Sequence, residues 1–332
     1  MARLKVLVTG ASGMLGGGVA LAFAERGDDV TVLQRRPSGL GLREVLADVA
    51  DSAAVRAAAV GQDAVVHLAA KVNVTGPWSG YRHANIDGTA AVVDACRAEE
   101  VGRLVHVSSP SVAHSGASLV GVGAGPADPR RARGHYARSK AAAERIALAA
   151  DDPQGPAVVA VRPHLVWGPG DTQLVSRVVE RARAGRLPVI GSGAALIDST
   201  YVTNAVDALV AAVDRCEAAH GQALVVSNGE PRPVAELIGS LCLAGGVTPP
   251  ARHVSPAVAR GVGAVVEVSW AALARLGILR AAAGEPPLTR FLAEQLSTAH
   301  WFDQRHTRAV LRWVPRVSLD EGFAELARAT AR

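Results

Sequence analysis

Cysteine is scarce: Cys96, Cys216 and Cys242 stand alone among 332 residues, and no two share a C-x-x-C spacing. That excludes a disulfide framework and a thiolate zinc centre, and a reducing compartment, the cytoplasm, is expected. Each thiol reads as a small buried hydrophobe. Aromatic residues make up 4% of the chain. Too few are available for the aromatic-interleaved basic stripe of a nucleic-acid surface, so no nucleic-acid partner is expected. No run reaches the roughly 18 uninterrupted apolar residues that a spanning helix needs. Peripheral contact with a membrane, through an enzyme assembly, stays open. The opening Met1-Ala-Arg-Leu-Lys-Val runs directly into strand pattern and lacks a signal peptide's apolar core. His67, His83, His106, His114, His253 and His306 are dispersed and make no metal-ligating pattern, so no metal is expected. The net charge of +5 is spread along the chain, with a short cluster at Arg130, Arg131 and Arg133. An anionic ligand would therefore meet a few local arginines rather than a basic face.

What is present is a core and an alternation. Hydrophobic residues make up 49% of the chain, enough for one large α/β unit and a smaller lobe. Apolar runs at 4–8, 29–33, 45–48, 64–69, 104–108 and 157–161 read as strands. Helical patterns follow to Arg26, from about Asp51, over 80–99, and from Tyr136 to Ala149. Strands alternating with helices predict βαβ units and a mostly parallel sheet flanked by helices. After Arg162 the pattern loosens. Helices are expected at 172–184, 202–215, 234–243 and 288–299, with a last one from Ser318, where S-x-x-E is a capping box. The expected division is a nucleotide domain at 1–163 and a mixed α/β substrate-binding lobe at 164–332, some of whose segments return to the first domain.

Thr9-Gly10-Ala-Ser12-Gly13-Met14-Leu15-Gly16 follows the first strand and opens the first helix. Glycines there permit a tight turn and close approach of backbone to a pyrophosphate, and the helix N-terminus offers unpaired amides. This predicts a Rossmann-type dinucleotide site. Gly17 and Gly18 read as relief of crowding. The second strand ends Gln34-Arg35-Arg36, with no acid to hold ribose hydroxyls. Arg35 and Arg36 can instead grip a 2′-phosphate through forked contacts, which favours NADP(H), with NAD(H) as the alternative; solvated loop arginines are the bland reading. Asp48 can accept from the adenine amino group or cap a helix, and Val49 can pack on the ring. Ala69 and Ala70 are small enough for a cofactor to pass, and Lys71 can approach a phosphate.

Tyr136-Ala-Arg-Ser-Lys140 sets a phenol and an ammonium four apart, on one helix face. The ammonium favours the phenolate and lowers the phenol's value from about 10. Tyr136 can then protonate a carbonyl oxygen as hydride arrives, while Lys140 reaches the nicotinamide ribose. The reacting oxygen needs a further donor. Ser109 is the first choice, followed by Ser111 and Ser108, against the reading that these hydroxyls satisfy only backbone.

Together T-G-A-S-G-M-L-G at 9–16, H-L-A-A at 67–70, S-S-P-S at 108–111 and Y-A-R-S-K at 136–140 resemble the extended short-chain dehydrogenase/reductase superfamily, in its 3β-hydroxysteroid dehydrogenase/epimerase-like branch. R-P-H-L-V-W-G-P-G-D at 162–171, S-N-G-E-P at 227–231, G-E-P-P-L-T-R-F-L-A-E-Q-L at 284–296 and H-W-F-D at 300–303 narrow the resemblance to bacterial ketoreductases of long-chain olefin biosynthesis. It implies an oxidoreductase in which NADPH reduces the 3-keto group of a hydrophobic long-chain 2-alkyl-3-oxo acid. Tyr136 would be the general acid, Lys140 its partner and Ser109 the oxygen donor. It also implies association with other olefin-pathway enzymes; a homodimer is expected from symmetry statistics. Steroid dehydrogenases and nucleotide-sugar epimerases or dehydratases share the Tyr/Lys core and are the alternatives. The sequence departs from many relatives at Lys71 and at Arg35-Arg36.

On the substrate side, Pro163 can stiffen the turn under the nicotinamide and Leu165 can pack near its ring. His164 can meet a ligand or make a structural hydrogen bond. Trp167 and Tyr201 can line a cleft or fill the core. Arg290 can attract a carboxylate or pair at the surface. His300, Trp301 and Phe302 are unranked between pocket and packing.

Overall fold

The computed structural model describes residues 3–72, 76–114, 116–275 and 294–331. In the first half, strands β1 (Lys5–Thr9), β2 (Asp29–Gln34), β3 (Arg43–Leu46), β4 (Ala64–His67), β5 (Arg103–Val107), β6 (Leu119–Val122) and β7 (Ala157–Pro163) are interleaved with helices α1 (Met14–Arg26), α2 (Ser52–Ala59), α3 (Trp78–Tyr81), α4 (Gly88–Ala98) and α5 (Gly134–Leu148). The second half carries β8 (Val166–Trp167), α6 (Val175–Arg183), β9 (Val189–Ile190), β10 (Leu196–Ile197), β11 (Thr200–Tyr201), α7 (Val202–Asp214), α8 (Cys216–Ala219) and β12 (Ala223–Val226). It continues with β13 (Arg232–Pro233), α9 (Val234–Ala244), β14 (His253–Val254), α10 (Pro256–Arg275), β15 (His300–Phe302), α11 (Arg305–Leu311) and α12 (Leu319–Thr330).

Seven strands form one parallel sheet in the order β12-β7-β5-β4-β1-β2-β3. The strand period of two sends Val6 and Val8 to one face and Leu7 to the other. Val6 and Val8 pack with Phe23 of α1 and Leu209 and Val213 of α7. Leu7 packs with Val55 of α2 and Val92 of α4. Both faces are covered, which is why the strands read as continuous apolar runs. The two helices on the first face lie close: a Cβ on Gly18 would stand 2.8 Å from Val206 of α7. The crowding that Gly18 relieves is thus between helices. β12 belongs to this sheet, so the sheet draws on chain from either side of residue 163.

A smaller mixed sheet, β13-β10-β15-β6, lies in the second half's territory, with two-stranded pairs β11-β8 and β14-β9. Its core stacks Trp167 on Phe323, ring centres 4.4 Å apart, and sets Tyr201 edge-on to Trp167 at 5.3 Å. Trp167 and Tyr201 are therefore packing residues, 0% and 1% exposed. The Ser318–Glu321 capping box starts α12 as expected.

Several elements differ from expectation, among them α10 (Pro256–Arg275) and α11 (Arg305–Leu311), which the sequence pattern did not announce. The helix expected over 80–99 is broken by a π-helical turn, Arg82–Asp87, between α3 and α4. Asn85 sits in that turn and is tied outside it. Its Oδ1 accepts from the Lys71 amide (2.6 Å), and its Nδ2 donates to the Lys71 carbonyl (3.1 Å) and to Ser139 Oγ of α5 (2.9 Å). Such insertions widen a helix where a side chain is needed elsewhere. Asp48 is not the cap of α2: Asp51 is, accepting from the Ala53 and Ala54 amides. The first half of the helix expected over 288–299, and Arg290 with it, lies outside the described residues; of the second half only 294–295 are helical, and a turn at 296–297 ends it.

Candidate active site

The C-terminal ends of β1, β2, β4, β5 and β7 open on a cavity of about 840 Å³. Ligands gather there in parallel α/β folds because strand ends and helix N-termini converge.

At the β1 end, Gly10 has φ of +82°, and a Cβ there would stand 2.8 Å from the Ala69 amide nitrogen. A Cβ on Gly16 would meet the Gly10 carbonyl at 2.3 Å. These two glycines are required by the turn itself. Gly13 is different: a Cβ there would find only the Gly10 carbonyl, at 3.6 Å, so the space beside it is open to a ligand. Gly13 begins α1 without a side-chain cap, and no acid occupies the first turn. The first amides of the helix are thus left for an anion. Ser12, Met14 and Leu15 line the same stretch of wall.

Arg35, Arg36, Asp48, Val49, Ala69 and Ala70 continue the lining. Arg35 and Arg36 are exposed at its edge. The loop after them is pinned by Glu44, which accepts from Gln34, from the Ser38 amide (2.8 Å) and from Ser38 Oγ (2.7 Å). Asp48 accepts from the Ala50 amide at 2.9 Å and faces His83 at 3.3 Å. Lys71 does not join this wall. Its ammonium lies 5.2 Å over the Tyr81 ring, and its backbone is held by Asn85. The cause is the chain's turn after β4, which sends the long side chain towards Gly76 and Gly80. Apart from Lys71, the residues expected to hold a dinucleotide share one cavity, and the uncapped helix with its open glycine fits such a group.

The chemical end lies on β5, β7 and α5. Ser109 follows β5 and caps a single 3₁₀ turn, Pro110–Ala113. Its Oγ accepts from Ser111 Oγ at 3.0 Å. The Ser109 hydroxyl stands close enough to the Tyr136 phenol to influence its ionisation. Burial pushes the Tyr136 phenol up from its ordinary value, and the Ser109 hydroxyl pulls the other way. That reverses the direction expected from Lys140. Lys140 Nζ donates to the Val107 carbonyl at 2.6 Å. Burial lowers its value to about 8, against a raising influence from Glu144. A poised ammonium and a protonated phenol suit proton donation near neutral pH. Ser108 lines the cavity too, but its Oγ is buried without a partner among the described residues.

α5 is fixed by a buried ion pair absent from the sequence reading. Glu144, one turn beyond Lys140, takes Arg162 of β7 in a forked contact of 2.8 and 2.5 Å, both side chains 1% exposed. Arg162 also donates to the Gly125 carbonyl at 2.7 Å. Leu165, just past β7, lines the cavity with φ of +43°. Left-handed backbone at a leucine is strained and is found where surroundings impose it. Pro163 and His164 line the same corner. His114, His300, Phe302, Arg177 and Arg181 join them from elements far apart in sequence, so no local spacing could have grouped them.

The parallel sheet, uncapped helix N-terminus and Ser-Tyr-Lys cluster define a nicotinamide-dependent oxidoreductase. The chain belongs to the NAD dependent epimerase/dehydratase family, whose model matches residues 6–227. It is similar to the 2-alkyl-3-oxoalkanoate reductase of Stenotrophomonas maltophilia, at 42% identity over 99% of this chain and 100% of that one. It is similar also to the 3-beta-hydroxysteroid dehydrogenase of Mycolicibacterium neoaurum, at 28% identity over 97% and 90%. Among solved structures it resembles MoeE5 in complex with UDP-glucose and NAD, with a TM-score of 0.74 and 26% identity over 99% of both chains. The chain is an NAD(P)-dependent oxidoreductase acting on a CH–OH or keto group. Among the described residues no helix is long and apolar enough to cross a membrane, and no group of His, Cys, Asp and Glu could hold a metal ion.

Proposed function

We propose that this chain reduces the 3-keto group of a long-chain 2-alkyl-3-oxo acid to the 3-hydroxy acid, with NADPH preferred, as a step in olefinic hydrocarbon biosynthesis. The observation that carries the reading is the wall beyond Ser109 and Tyr136. Leu187, Ile197, Val234, Leu237, Ile238 and Leu241 continue the cavity as an aliphatic surface, which suits an alkyl chain. The likeness to the Stenotrophomonas reductase supports the same substrate class. Exposed Arg35 and Arg36 at the cavity edge support a 2′-phosphate.

The residues that line the glycine turn would hold a nicotinamide dinucleotide, which when bound and reduced would be the source of the hydride for the ketone carbon. Ser109 donates to the ketone oxygen and steadies its developing charge. Tyr136 gives that oxygen its phenolic proton, so the products are a secondary alcohol and oxidised cofactor. Lys140, charged below about pH 8, stabilises the phenolate left behind until solvent reprotonates it. Gly10, Ser12, Gly13, Met14, Leu15 and Gly16 seat the pyrophosphate; Asp48 and Val49 take the adenine; Ala69, Ala70, Pro163 and Leu165 flank the rest. The two-lobe division near residue 163 belongs to the same proposal. So does a cytoplasmic homodimer working beside enzymes that make and consume the acid; the three unpaired, buried thiols support that compartment.

A second reading, a nucleotide-sugar epimerase, is favoured by the likeness to a structure holding UDP-glucose and NAD, and by Arg177 and Arg181 on the cavity wall. A steroid ketone would use the aliphatic wall and is favoured by the steroid dehydrogenase relative. The test follows NADPH and NADH oxidation separately with a long-chain 2-alkyl-3-oxo acid, a steroid ketone and a nucleotide-sugar ketone. Turnover of the acid with NADPH is expected. No oxidation of either cofactor with the acid would overturn the assignment, and preference for NADH would overturn the role of Arg35 and Arg36.

A further inference from the structure

His67 closes β4 in the dry interior, and the proton transfer above does not use it. Its two ring nitrogens meet two hydroxyls. Nδ1 lies 2.8 Å from Thr9 Oγ1, and Nε2 lies 2.9 Å from Thr89 Oγ1. The neighbours decide which nitrogen carries the proton. Thr89 Oγ1 donates to the Asn85 carbonyl at 2.7 Å, an oxygen that can only accept. Its single proton is committed there, so His67 Nε2–H is the donor to Thr89. Nδ1 is then the acceptor and takes the Thr9 hydroxyl proton. Thr9 Oγ1 in turn accepts from the Ala69 amide at 3.2 Å. Burial holds the ring at about 3, which keeps it in this neutral form.

Asn85 carries the chain onward through its side chain. Its Nδ2 donates to Ser139 Oγ at 2.9 Å, and Ser139 Oγ donates to the Tyr136 carbonyl at 2.8 Å. The bonds all point one way, from Ala69 through Thr9, His67, Thr89, Asn85 and Ser139 to Tyr136. One end is the glycine turn: Thr9 precedes Gly10, and Ala69 lines the cavity. The other end is the first turn of α5, at the residue that bears the reactive phenol. The five side chains between are at most 1% exposed, so no bulk water competes for these bonds.

We propose that His67 is a positioning residue that keeps the helix bearing Tyr136 in register with the turn that seats the dinucleotide. The inference rests on Tyr136 as the proton donor, as read above. Hydride and proton must reach the two ends of one carbonyl group, so the cofactor and the phenol need a fixed relation. A displacement of about 1 Å between reacting groups costs about a hundredfold in rate. A neutral imidazole suits the place because it sets one acceptor and one donor on a rigid ring. His106, on the adjacent strand, supplies the contrast. Its ring centre is 5.4 Å from that of His67, and it is equally buried. Neither of its nitrogens has a hydrogen-bond partner among the described residues, so it shares the dry core but not the chain.

The test compares the wild-type chain with His67→Leu, Thr89→Val, His67→Gln and His106→Leu. The substrate is whichever of the three ketones named above the wild-type chain reduces fastest, so the outcome does not depend on the acid assignment. Turnover is expressed per NADPH-binding site, counted by fluorescence titration. His67→Leu and Thr89→Val should each lower kcat per site by about tenfold, with KM and the NADPH Kd held within about a factor of two. The double variant should lose no more than the worse single one, because both cut the same chain. His67→Gln keeps an N–H for Thr89 and should return kcat to within about threefold of wild type. His106→Leu should leave kcat per site unchanged. Unchanged kcat per site in His67→Leu and Thr89→Val would overturn the proposal. So would loss of binding sites or of folding alone, or an equal loss in His106→Leu, since each would make His67 a packing residue. If Tyr136→Phe is inactive while the His67 variants are not, only this proposal falls; if Tyr136→Phe keeps full turnover, the proton-donor reading falls and this one with it.

Discussion

Gly16 shows how much a single missing atom decides. Its absent Cβ would lie 2.3 Å from a backbone oxygen, which cannot swing away as a flexible side chain could. Gly16→Ala should therefore weaken NADPH binding by about tenfold or more, read by fluorescence titration; unchanged affinity would mean that the turn does not seat the cofactor. Arg35→Ala should weaken NADPH binding by about tenfold and leave NADH unchanged, the loss of one charge-assisted contact. At this scale the sequence was readable where a motif carries its own geometry, as in the glycine turn and the Tyr-x-x-x-Lys spacing. Lys71 shows the limit. Its position at a strand end was legible, but its direction depends on Tyr81 and Asn85, which approach through an unforeseen π-helical turn. The phenol's direction was misjudged for a related reason: four-residue spacing says nothing of how dry the helix face is.

α5 carries the reactive phenol and ammonium, and its placement rests on an ion pair with β7. Its inner face is mostly small, with Ala137, Ala141, Ala143 and Ala147 buried, so the helix can approach the sheet closely. Glu144 and Arg162 then lock it, 1% exposed each. Glu144→Gln leaves the Arg162 charge buried without its counter-ion. A loss of about 3 kcal/mol in unfolding free energy is expected from denaturant titration, because breaking one side of a buried pair exposes the full desolvation cost. A change below about 1 kcal/mol, the range of a surface pair, would show that the pair does not fix the helix. The helix itself was legible from its pattern. Its anchor was not, since Glu144 and Arg162 are separated in sequence and neither stands in a motif with the other.

The whole molecule hides imidazoles in dry places. Burial holds His67 and His164 at about 3 and His300 at about 4, and drives His106 well below its ordinary value. Their folded values lie under the unfolded one of about 6.5. As pH falls through that value, the unfolded chain takes up protons first. Stability is therefore full above about pH 6.5 and is lost on the way down to 4 and 3. Each histidine removes about 1.4 kcal/mol by pH 5.5. Asp198, raised to about 6 by burial, works in the opposite sense below pH 6, but it is one group against four. Melting temperature should decline steadily from pH 6.5 to 5.5; a flat profile would contradict the neutral buried state of these rings.

Six strands of the seven-stranded sheet were legible because local alternation builds them one after another; β12 was not, because it returns to the sheet from beyond residue 163. The smaller sheet was not, because it joins β6, β10, β13 and β15 from four separated stretches. The aliphatic wall arises from the same long-range assembly.

The central claim is that Tyr136 donates the proton to a keto oxygen in this cavity. Its most direct measurement pairs NADPH affinity with turnover of a long-chain 2-alkyl-3-oxo acid in the wild-type chain and in Tyr136→Phe. The account predicts turnover reduced by about a hundredfold or more, with NADPH affinity held within about a factor of two. Undiminished turnover in Tyr136→Phe would contradict it.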